Sequence, residues 1–214
     1  MLRGNRKLPL NESIIKQLER RYNHEVNNLR ELESEAKTFQ KGLLEKINGR
    51  DFWQISEDEF AFLYIAVKIS KPKIVFETGV GPGTSTSAIL KALGSSSRLV
   101  SFDLGVKYGN ADEMPVGFVI PHELKSKWEL ILGDSAKTLK EQLSKYGKID
   151  MFFHDSMHTY EHVTFELNSI LPHLSDNFII VIDNYDWTSA PKDFAKNNNL
   201  SLVHVSDDMC FMID

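Results

Sequence analysis

Polar residues with the chemistry of a cation site follow two apolar stretches in the second half of the chain. Asp155 and His158 come after the first, in MFFHDSMHTYEHV, and Asp183 and Asn184 end the second, in IIVIDNYDW. Two carboxylates and an amide oxygen are hard ligands, which suit Mg²⁺ or Ca²⁺ and are acceptable to Mn²⁺. Like charges at one edge also repel unless a cation lies between them. The sequence therefore predicts a divalent-cation site at Asp155, Asp183 and Asn184, with a loop turn at the last two residues as the alternative.

A histidine lies three residues beyond the first of these carboxylates. Histidine titrates near neutrality and is a sound general base for a hydroxyl that a metal ion has already acidified. His158 is therefore a candidate base beside the predicted cation site. A helix cap or a third cation ligand is the alternative role for this side chain.

A glycine-rich turn follows an apolar run in KIVFETGVGPGTSTSAILKAL, where Gly79, Gly81 and Gly83 alternate. A phosphate-binding loop ends in Gly-Lys-Ser/Thr, but here Thr84 follows Gly83 without a lysine, and the dinucleotide fingerprint G-x-G-x-x-G is not completed either. Glu77 precedes the turn, where a carboxylate disfavours a pyrophosphate and favours an ammonium group. We therefore predict a cofactor with an amino-acid end and a cationic centre, with a simple tight turn as the alternative.

The elements that position these residues alternate along the chain. Strands are predicted in KIVFETG, RLVSFDL, WELILGD, KIDMFFHD and NFIIVIDNY, with helices between most of them. This order predicts a doubly wound α/β fold with a mostly parallel sheet and helices on both faces. LSLVHVS and MCFMID add an antiparallel C-terminal hairpin, which makes seven strands. The glycine turn and the predicted cation ligands then meet at the carboxyl edge of the sheet, where such folds bind ligands. The segment 105–124 is long for a connection and is expected to form a lid or substrate loop.

The first part of the chain is predicted to be helical. Apolar residues recur in steps of three, four or seven from Ile15 to Leu43, with charged residues between them. The stripe is close to a heptad, so it predicts either helices packed on the main domain or a homodimer contact through these helices. Ser56 has the position of a helix cap that opens a further helix. We divide the chain into an N-terminal helical extension, residues 1–55, and a main domain, residues 56–214.

Composition narrows the functional classes. The net charge of −5 over 214 residues argues against a protein that holds nucleic acid mainly through phosphate contacts. The single cysteine, Cys210, excludes an intrachain disulfide framework and a multi-cysteine zinc site. The apolar runs have the length of strands, so neither a membrane span nor a signal peptide is predicted. We therefore expect a cytoplasmic protein with neither nucleic acid nor a membrane as a partner.

The first strands and the turns after them resemble class I S-adenosylmethionine-dependent methyltransferases. VFETGVGPGTST is similar to the first motif of that family, acidic-x-G-x-G-x-G, and LVSFDL ends in Asp103, where the family has an acid that binds the ribose hydroxyls. Asp134 and Ser135 in LILGDSAKTL match the motif at the adenine end. The resemblance implies a Rossmann-like methyltransferase fold with S-adenosylmethionine held by Glu77, the three glycines with Thr84, Asp103, Asp134 and Ser135. A helix cap or surface acid is the alternative for the two aspartates.

The later strands resemble metal-dependent O-methyltransferases of the catechol O-methyltransferase type. In that family an Asp after the fourth strand and an Asp-Asn pair after the fifth hold a divalent cation, and Asp155, Asp183 and Asn184 match them. The family's base is a lysine three residues beyond the first Asp, whereas this chain has His158 there, so the resemblance implies His158 as the catalytic base. The run HD-x-x-H-x-Y-E is similar to sugar O-methyltransferases of the macrocin type, which have a histidine at this place. The resemblance implies a sugar, polyketide or catechol-like hydroxyl as the acceptor.

Together these observations predict an S-adenosylmethionine-dependent O-methyltransferase that acts on a small molecule with the help of a divalent cation. Mg²⁺ is the expected ion, with Ca²⁺ or Mn²⁺ as alternatives. Three other functions stay open. They are a metal-independent O- or N-methyltransferase of the same fold, a non-catalytic S-adenosylmethionine-binding scaffold protein, and an NAD-dependent oxidoreductase, which Glu77 and Thr84 disfavour.

Overall fold

The computed structural model describes residues 11–47, 54–105 and 114–214. The strands are β1 (Ile74–Thr78), β2 (Arg98–Asp103), β3 (Trp128–Leu132), β4 (Ile149–His154), β5 (Leu174–Ile182), β6 (Ser201–His204) and β7 (Cys210–Ile213). The helices are α1 (Glu12–Tyr22), α2 (Leu29–Ile47), α3 (Glu57–Ser70), α4 (Thr84–Ala92), α5 (Ser135–Tyr146), α6 (Tyr160–Ile170) and α7 (Ala190–Asn197). Short 3-10 turns cover His122–Lys127, Leu171–His173 and Tyr185–Trp187.

The strands form one sheet in the order β3-β2-β1-β4-β5-β7-β6. The first five pair in parallel, and β7 is antiparallel to both β5 and β6. The predicted seven-stranded sheet with an antiparallel C-terminal hairpin is therefore confirmed. The strand order reverses between β1 and β4, so the crevice at the carboxyl ends of these two strands is the place where such a sheet binds ligands.

Two apolar cores lie on opposite faces of the sheet, because alternate side chains of a strand point to opposite sides. In β4, Met151 and Phe153 enter the core under α3 and α4, and Phe152 enters the core under α5 and α6. The helices between the strands thus cover both faces. A rigid, doubly covered sheet is what fixes the turns at its carboxyl edge.

Helix α3 begins where the sequence predicts. The Ser56 side chain accepts a hydrogen bond from the Glu59 backbone N–H, and the Glu59 carboxylate accepts one from the Ser56 N–H at 2.7 Å. This capping box satisfies two otherwise free donors at the start of the helix. Lys71 ends the helix in the left-handed region, and Pro72 follows.

The predicted N-terminal stripe is divided between two helices. Asn23 ends α1 with a left-handed backbone, and α2 starts six residues later. All stripe positions bury or pack their side chains against the core of this same chain: Ile15, Leu18, Tyr22, Leu29, Leu32, Ala36, Phe39 and Leu43. A homodimer through these helices stays a prediction, and it would have to use their other faces. The domain division at residue 55 also stays a prediction, and residues 48–53 next to it lie outside the described part of the chain.

Replacing Arg21 with alanine is expected to loosen α1 from the sheet. The Arg21 guanidinium donates to the Asp176 carbonyl oxygen at 2.8 Å and to Asn177 Oδ1 at 3.1 Å, and it pairs with the Asp214 carboxylate. Because these groups are partly exposed, we expect a loss of about 1 kcal/mol in the free energy of unfolding. Denaturant unfolding would measure it, with the exposed neighbour Arg20→Ala as the control. Equal losses in the two variants would contradict the anchoring role of Arg21.

Helix α7 was not predicted from the sequence. Its segment, APKDFAKN, is short and polar, although Pro191 at its start and the apolar pair Phe194 and Ala195 fit a helix that buries one face. No helix in the described ranges combines the length and the apolar character that a membrane span requires.

Candidate active site

The glycine turn takes the backbone conformation that its composition predicts. Gly79, Gly81 and Gly83 have φ values of 85°, 52° and 97°, which lie in the left-handed region that favours glycine. Gly83 is the residue before α4, and its carbonyl oxygen accepts the hydrogen bond from Ser87 N. The turn therefore links the carboxyl end of β1 directly to the amino end of α4, whose N–H dipoles face the crevice.

The Asp103 carboxylate faces this turn from the end of β2. Its Oδ2 accepts hydrogen bonds from Val80 N and Gly81 N, both at 3.0 Å, and its Oδ1 accepts one from Gly105 N at 2.7 Å. The side chain thus holds the glycine turn in place. Each carboxylate oxygen has a second lone pair, so these bonds leave room for a hydroxyl donor as well.

The other side of the turn rests on residues 114–121, the segment before the 3-10 turn His122–Lys127. Gly117 N donates to the Gly81 carbonyl oxygen at 2.9 Å, and Val119 N donates to the Pro82 carbonyl oxygen at 3.1 Å. Val119 and Ile120 are buried in the core. Part of the predicted substrate loop therefore supports the glycine turn, whereas residues 106–113 lie outside the described ranges.

Glu77 lies beneath the turn rather than in the crevice. Its side chain is fully buried, and its carboxyl group accepts hydrogen bonds from Ser101 Oγ at 2.5 Å, Thr86 Oγ1 at 2.9 Å and Ser85 Oγ at 3.3 Å. Burial raises its pKa to about 8. Direct contact with a cofactor ammonium group stays a prediction, and it would require the carboxyl group to leave these three hydroxyls.

Thr84 also points away from the crevice. It is 2% exposed, and its hydroxyl donates a hydrogen bond to Gln54 Oε1, in the segment before α3. The predicted role of this side chain in cofactor binding therefore stays untested, and its hydroxyl connects α4 to that segment.

Asp134 and Ser135 lie at the start of α5, beside the end of β2. Asp134 is the helix cap, with Oδ1 accepting from Ala136 N at 2.9 Å, which is the alternative role that its residue type suggested. Gly133 N donates to the Asp103 carbonyl oxygen at 2.8 Å, so the two aspartates follow neighbouring strand ends. Leu104 and Leu132, at the same edge, are 52% and 61% exposed. Large exposed apolar side chains beside buried polar groups are typical of a ligand surface.

The predicted cation ligands meet at the ends of β4 and β5. Single ligand atoms of Asp155, His158 and Asp183 all lie within 4.8 Å of one another. His158 Nε2 is 3.8 Å from Asp155 Oδ1. The structure thus brings the predicted base into the same cluster as the two carboxylates, which keeps both of its predicted roles open.

Asn184 completes the cluster with a left-handed backbone, φ 50°. Its amide Nδ2 lies 2.6 Å from Asp183 Oδ2 and 3.4 Å from His158 Nε2. The amide nitrogen rather than the oxygen therefore faces the cluster. Ligation of a cation by this side chain requires the amide to turn over, which exchanges the two atoms.

The two carboxyl groups and the imidazole of the cluster all have strongly shifted pKa values. Burial, together with the facing carboxylate of Asp155, raises the pKa of Asp183 to about 10. Partial burial raises the pKa of Asp155 to about 7, although 30% of its side chain remains exposed. Burial lowers the pKa of His158 to about 4, so its imidazole is neutral near pH 7. A neutral imidazole can serve as a base or as a metal ligand.

The glycine turn and the cation cluster are in direct contact. A Cβ atom added to Gly79 would lie 1.8 Å from the Asp155 carbonyl oxygen. In addition, Asp155 N donates to the Thr78 carbonyl oxygen at 2.8 Å. Since the backbones touch here, the two predicted half-sites adjoin.

A buried carboxylate, Glu166 on α6, was not identified from the sequence. It is fully buried and accepts hydrogen bonds from side chains of four elements or their adjoining turns: Thr78, Ser135, His154, Ser156 and His162. Burial alone would raise its pKa, but the hydrogen bonds from His154 and His162 lower it. The hydrogen bond to Glu166 in turn raises the pKa of His162. Helical spacing could have revealed it, because Glu166 shares the buried face of Val163, Leu167 and Ile170.

Three large side chains close in the sequence to the cluster residues have exposed surfaces. Trp187 is 50% exposed and packs edge-on to the His158 ring, with centroids 5.2 Å apart, and Met157 and Tyr160 are 52% and 45% exposed. Tyr185 is instead buried, and its hydroxyl lies 2.6 Å from His204 Nδ1. Trp187 therefore presents an exposed aromatic surface beside His158, whereas Tyr185 does not.

Comparison with known proteins gives one family match. A family model described as a methyltransferase domain matches residues 76–185, which is just over half of the chain. The matched range runs from β1 to the residue after Asn184. No match was found among the curated proteins.

Several solved structures share the fold. A methyltransferase from Podospora anserina, PaMTH1, bound to S-adenosylhomocysteine, aligns with a TM-score of 0.56 and 17% identity over 98% of each chain. An O-methyltransferase from Bacillus cereus in complex with S-adenosylhomocysteine gives 0.56 and 16%, over 94% of this chain and 97% of that one. TomG from Streptomyces achromogenes, an O-methyltransferase involved in tomaymycin synthesis and bound to S-adenosylmethionine, gives 0.56 and 14%, over 84% and 89%. At these identities the likeness establishes the fold.

Proposed function

Since the chain belongs to the methyltransferase domain family, we propose that it transfers a methyl group from S-adenosylmethionine to a hydroxyl of a small molecule, with a divalent cation at Asp155, Asp183 and Asn184. The observation that carries the proposal is the contact between the two half-sites. The Asp103-bound glycine turn and the carboxylate–imidazole cluster adjoin at Gly79 and Asp155, so a cofactor and an acceptor placed in them are neighbours.

The cofactor would lie along the ends of β1, β2 and β3. The second lone pairs of Asp103 suit ribose hydroxyl donors, and the exposed Leu104 and Leu132 suit the faces of a flat base. The N–H groups at the start of α4 suit the carboxylate of an amino-acid end. In this arrangement Glu77 and Thr84 support the turn from behind, through hydroxyl contacts, and Ser135 helps to place the adenine end.

The described residues fit a divalent cation. The buried carboxyl group of Asp183 and the partly buried one of Asp155 both have raised pKa values, and a neutral imidazole lies beside them. When bound, the cation lowers the pKa of an acceptor hydroxyl. Mg²⁺ is the ion we propose, because oxygen ligands predominate.

The proton would move to His158. Its neutral imidazole would accept the hydroxyl proton at Nε2, and the acceptor oxygen would then bond to the methyl carbon of bound S-adenosylmethionine, with S-adenosylhomocysteine as the leaving group. The cofactor is already activated, so the protein contributes mainly position and charge.

The acceptor is proposed to carry an apolar or aromatic surface next to its hydroxyl. Met157 and Tyr160 flank His158 in the sequence, Trp187 packs edge-on to its ring, and all three side chains are about half exposed. A catechol-like or polyketide hydroxyl fits these surfaces, and so does a sugar attached to such a group. The cytoplasmic location and the homodimer also remain proposals.

Calorimetric titration tests the cofactor. We expect micromolar binding of S-adenosylmethionine and no binding of NAD⁺. Asp103→Asn should lower the affinity about 10- to 100-fold, because hydrogen bonds to a charged group are worth about 1.5–3 kcal/mol. Asp176→Asn, exposed at the start of β5, is the control. Absence of S-adenosylmethionine binding under all conditions would overturn the proposal.

The same preparation separates the remaining alternatives. Methyl transfer that survives chelation would indicate a metal-independent enzyme, with His158 acting alone. Binding of S-adenosylmethionine without turnover on any sugar, catechol or polyketide hydroxyl would favour a non-catalytic scaffold protein. Loss of turnover with chelator and its return with Mg²⁺ would support the proposed reaction.

A further inference from the structure

A glutamine shortly before α3 reaches the first residue of α4. The Thr84 hydroxyl donates a hydrogen bond to Gln54 Oε1, and the Thr84 side chain is 2% exposed. Thr84 directly follows Gly83, the last glycine of the turn. Gln54 belongs to the predicted N-terminal extension, residues 1–55, and lies outside the matched residues 76–185. This contact therefore joins the extension to the end of the glycine turn.

The start of α4 depends on contacts from other elements. Its cap residue is Gly83, which has no side chain to bond the free N–H groups of the first helical turn. Glu77 on β1 accepts hydrogen bonds from the hydroxyl groups of the second and third residues of the helix. Gln54 accepts one from Thr84, the first residue. The position of this turn is thus set jointly by β1 and by the segment before α3.

The backbone next to Gln54 is itself fixed. Gln40 on α2 is 3% exposed, and its Nε2 donates to the Ile55 carbonyl oxygen at 3.2 Å. Ile55 is buried in the core, and Ser56 follows as the cap of α3. The bond to Thr84 therefore places the start of α4 relative to a fixed point of the N-terminal extension.

The Gln54 amide has a cost for stability. Its Nε2 is buried and has no hydrogen-bond partner among the described residues. If the amide is turned over, Nε2 bonds to Thr84 and the oxygen becomes the unpaired atom, so one amide atom is unpaired in either orientation. A buried unpaired polar atom lowers the free energy of unfolding, and an apolar side chain of similar length would avoid that cost. An unpaired group of this kind calls for a reason beyond the stability of the fold, and the partner of this amide is the residue at the end of the glycine turn.

We propose that Gln54 is a positioning residue for S-adenosylmethionine: through Thr84 it fixes the first turn of α4 against the glycine turn, so that the helix N–H groups face the amino-acid end of the cofactor. This inference rests on the proposed function and extends the cofactor site into the N-terminal extension. Gln54 itself does not touch the cofactor, because its free amide atom is buried. The cation cluster adjoins the opposite end of the turn, at Gly79 and Asp155, and does not depend on Gln54.

Calorimetry with S-adenosylhomocysteine tests this role. Gln54→Met keeps the length of the side chain and removes both amide atoms, and Thr84→Val removes the hydroxyl at the other end of the bond. We expect each variant to bind S-adenosylhomocysteine about three- to tenfold more weakly, which is the worth of one hydrogen bond. Because both changes remove the same contact, the double variant should bind no more weakly than either single variant. The Mn²⁺ affinity should stay within about twofold of the unmodified chain in all three variants.

Three comparisons separate positioning from general destabilisation. Thr84→Ser keeps the hydroxyl and should bind S-adenosylhomocysteine more tightly than Thr84→Val. Gln142→Met removes another partly buried glutamine with an amide atom unpaired among the described residues, on α5, and should keep the affinity of the unmodified chain. The Tm of Gln54→Met should stay within about 2 °C of the unmodified chain, because an unpaired polar atom is lost together with one hydrogen bond. If Gln54→Met does not fold, the Thr84 variants test the same bond from its other end.

Unchanged affinity in folded Gln54→Met, losses that add in the double variant, or an equal fall in Mn²⁺ affinity would overturn the proposal. These results are distinct from failure of the proposed function, which would appear as absence of S-adenosylhomocysteine binding by the unmodified chain. That absence would refute this role of Gln54 as well. The expected pattern is a loss confined to S-adenosylhomocysteine, equal in the two single variants and in the double variant.

Discussion

Replacing Asp183 with asparagine is expected to stabilise the metal-free protein at pH 8 and to abolish its stabilisation by Mg²⁺ or Mn²⁺. Asp183 is 8% exposed and faces the carboxylate of Asp155. An asparagine keeps an oxygen that accepts from Asn184 Nδ2, as Asp183 Oδ2 does at 2.6 Å. It cannot ionise, so it avoids the cost of holding Asp183 protonated in the folded state at pH 8. We expect a gain of at least about 1 kcal/mol, or about 2–4 °C in Tm for a chain of this size.

The pH dependence of the metal-free protein has a definite sign. In the unfolded chain an aspartate ionises near pH 4, whereas burial and Asp155 raise the pKa of Asp183 in the folded state to about 10. Across that interval the folded state holds a proton that the unfolded state has lost. The contribution of Asp183 to stability is therefore fully present below about pH 4 and is lost as the pH rises toward 10.

Thermal unfolding from pH 5 to 9, with chelator and with Mn²⁺ added, measures these effects. Mn²⁺ at one hundred times its dissociation constant should increase the free energy of unfolding of the unmodified chain by about 2.7 kcal/mol and raise its Tm accordingly. It should also flatten the pH dependence of the Tm. The Tm of Asp183→Asn should not rise with Mn²⁺. Its rate of methyl transfer should fall about 100-fold or more, which exceeds the effect of losing a residue that only hydrogen-bonds to a metal ligand. Asp176→Asn should behave as the unmodified chain does. A metal response that survives in Asp183→Asn would refute the assignment of this ligand.

The sheet and its carboxyl edge could be predicted because they depend on patterns that the chain repeats. Parallel strands joined by helices place their ends together, so the polar residues after β4 and β5 had to be neighbours, and Asp155, His158 and Asp183 are. The strand order confirms the predicted methyltransferase fold, and the match of residues 76–185 confirms the family. Both could be predicted because the motifs lie on successive strand ends. What each side chain does there stays a prediction.

The direction of individual side chains was harder to predict. Glu77 and Thr78 are adjacent in β1, and alternation sends Glu77 toward α4 and Thr78 toward Glu166 on α6. The carboxylate of Glu77 led to the prediction of an ammonium partner. The alternation of side chains along β1, however, already indicated that Glu77 lies under the turn. Glu166 was missed because a carboxylate within a mixed helix resembles a solvated residue until its buried face is known.

Replacing Gly79 with alanine is expected to abolish binding of both S-adenosylmethionine and the divalent cation. The new Cβ would lie 1.8 Å from the Asp155 carbonyl oxygen and 3.0 Å from Ser156 N, at a φ of 85°. Neither neighbour is a flexible side chain, so either the glycine turn or the end of β4 has to move. We expect a loss of about 2–4 kcal/mol in the free energy of unfolding from overpacking and from the left-handed backbone.

Two other glycines separate the causes. Gly147, after α5, has a φ of 77° and no neighbour within 4 Å of an added Cβ, so Gly147→Ala measures the strain of the backbone alone. Gly81 has a φ of 52° and equally open space, but it lies on the turn itself. Gly147→Ala should keep both affinities, and Gly81→Ala should weaken S-adenosylmethionine binding while leaving the cation affinity within about twofold, since a close backbone approach by the ligand is what its bare Cα permits.

Calorimetry with S-adenosylhomocysteine and with Mn²⁺, on each folded variant, gives the comparison. The neutral product is the better probe here, because it removes direct repulsion between a sulfonium and the cation. If Gly79→Ala loses one ligand and keeps the other, the two half-sites are mechanically independent and their contact at Asp155 is incidental. If Gly79→Ala loses binding of both ligands while Gly147→Ala keeps both, one methyl group at the junction of β1 and β4 disrupts both half-sites at once. The two half-sites then form a single joint site, as in-line transfer between neighbouring ligands requires.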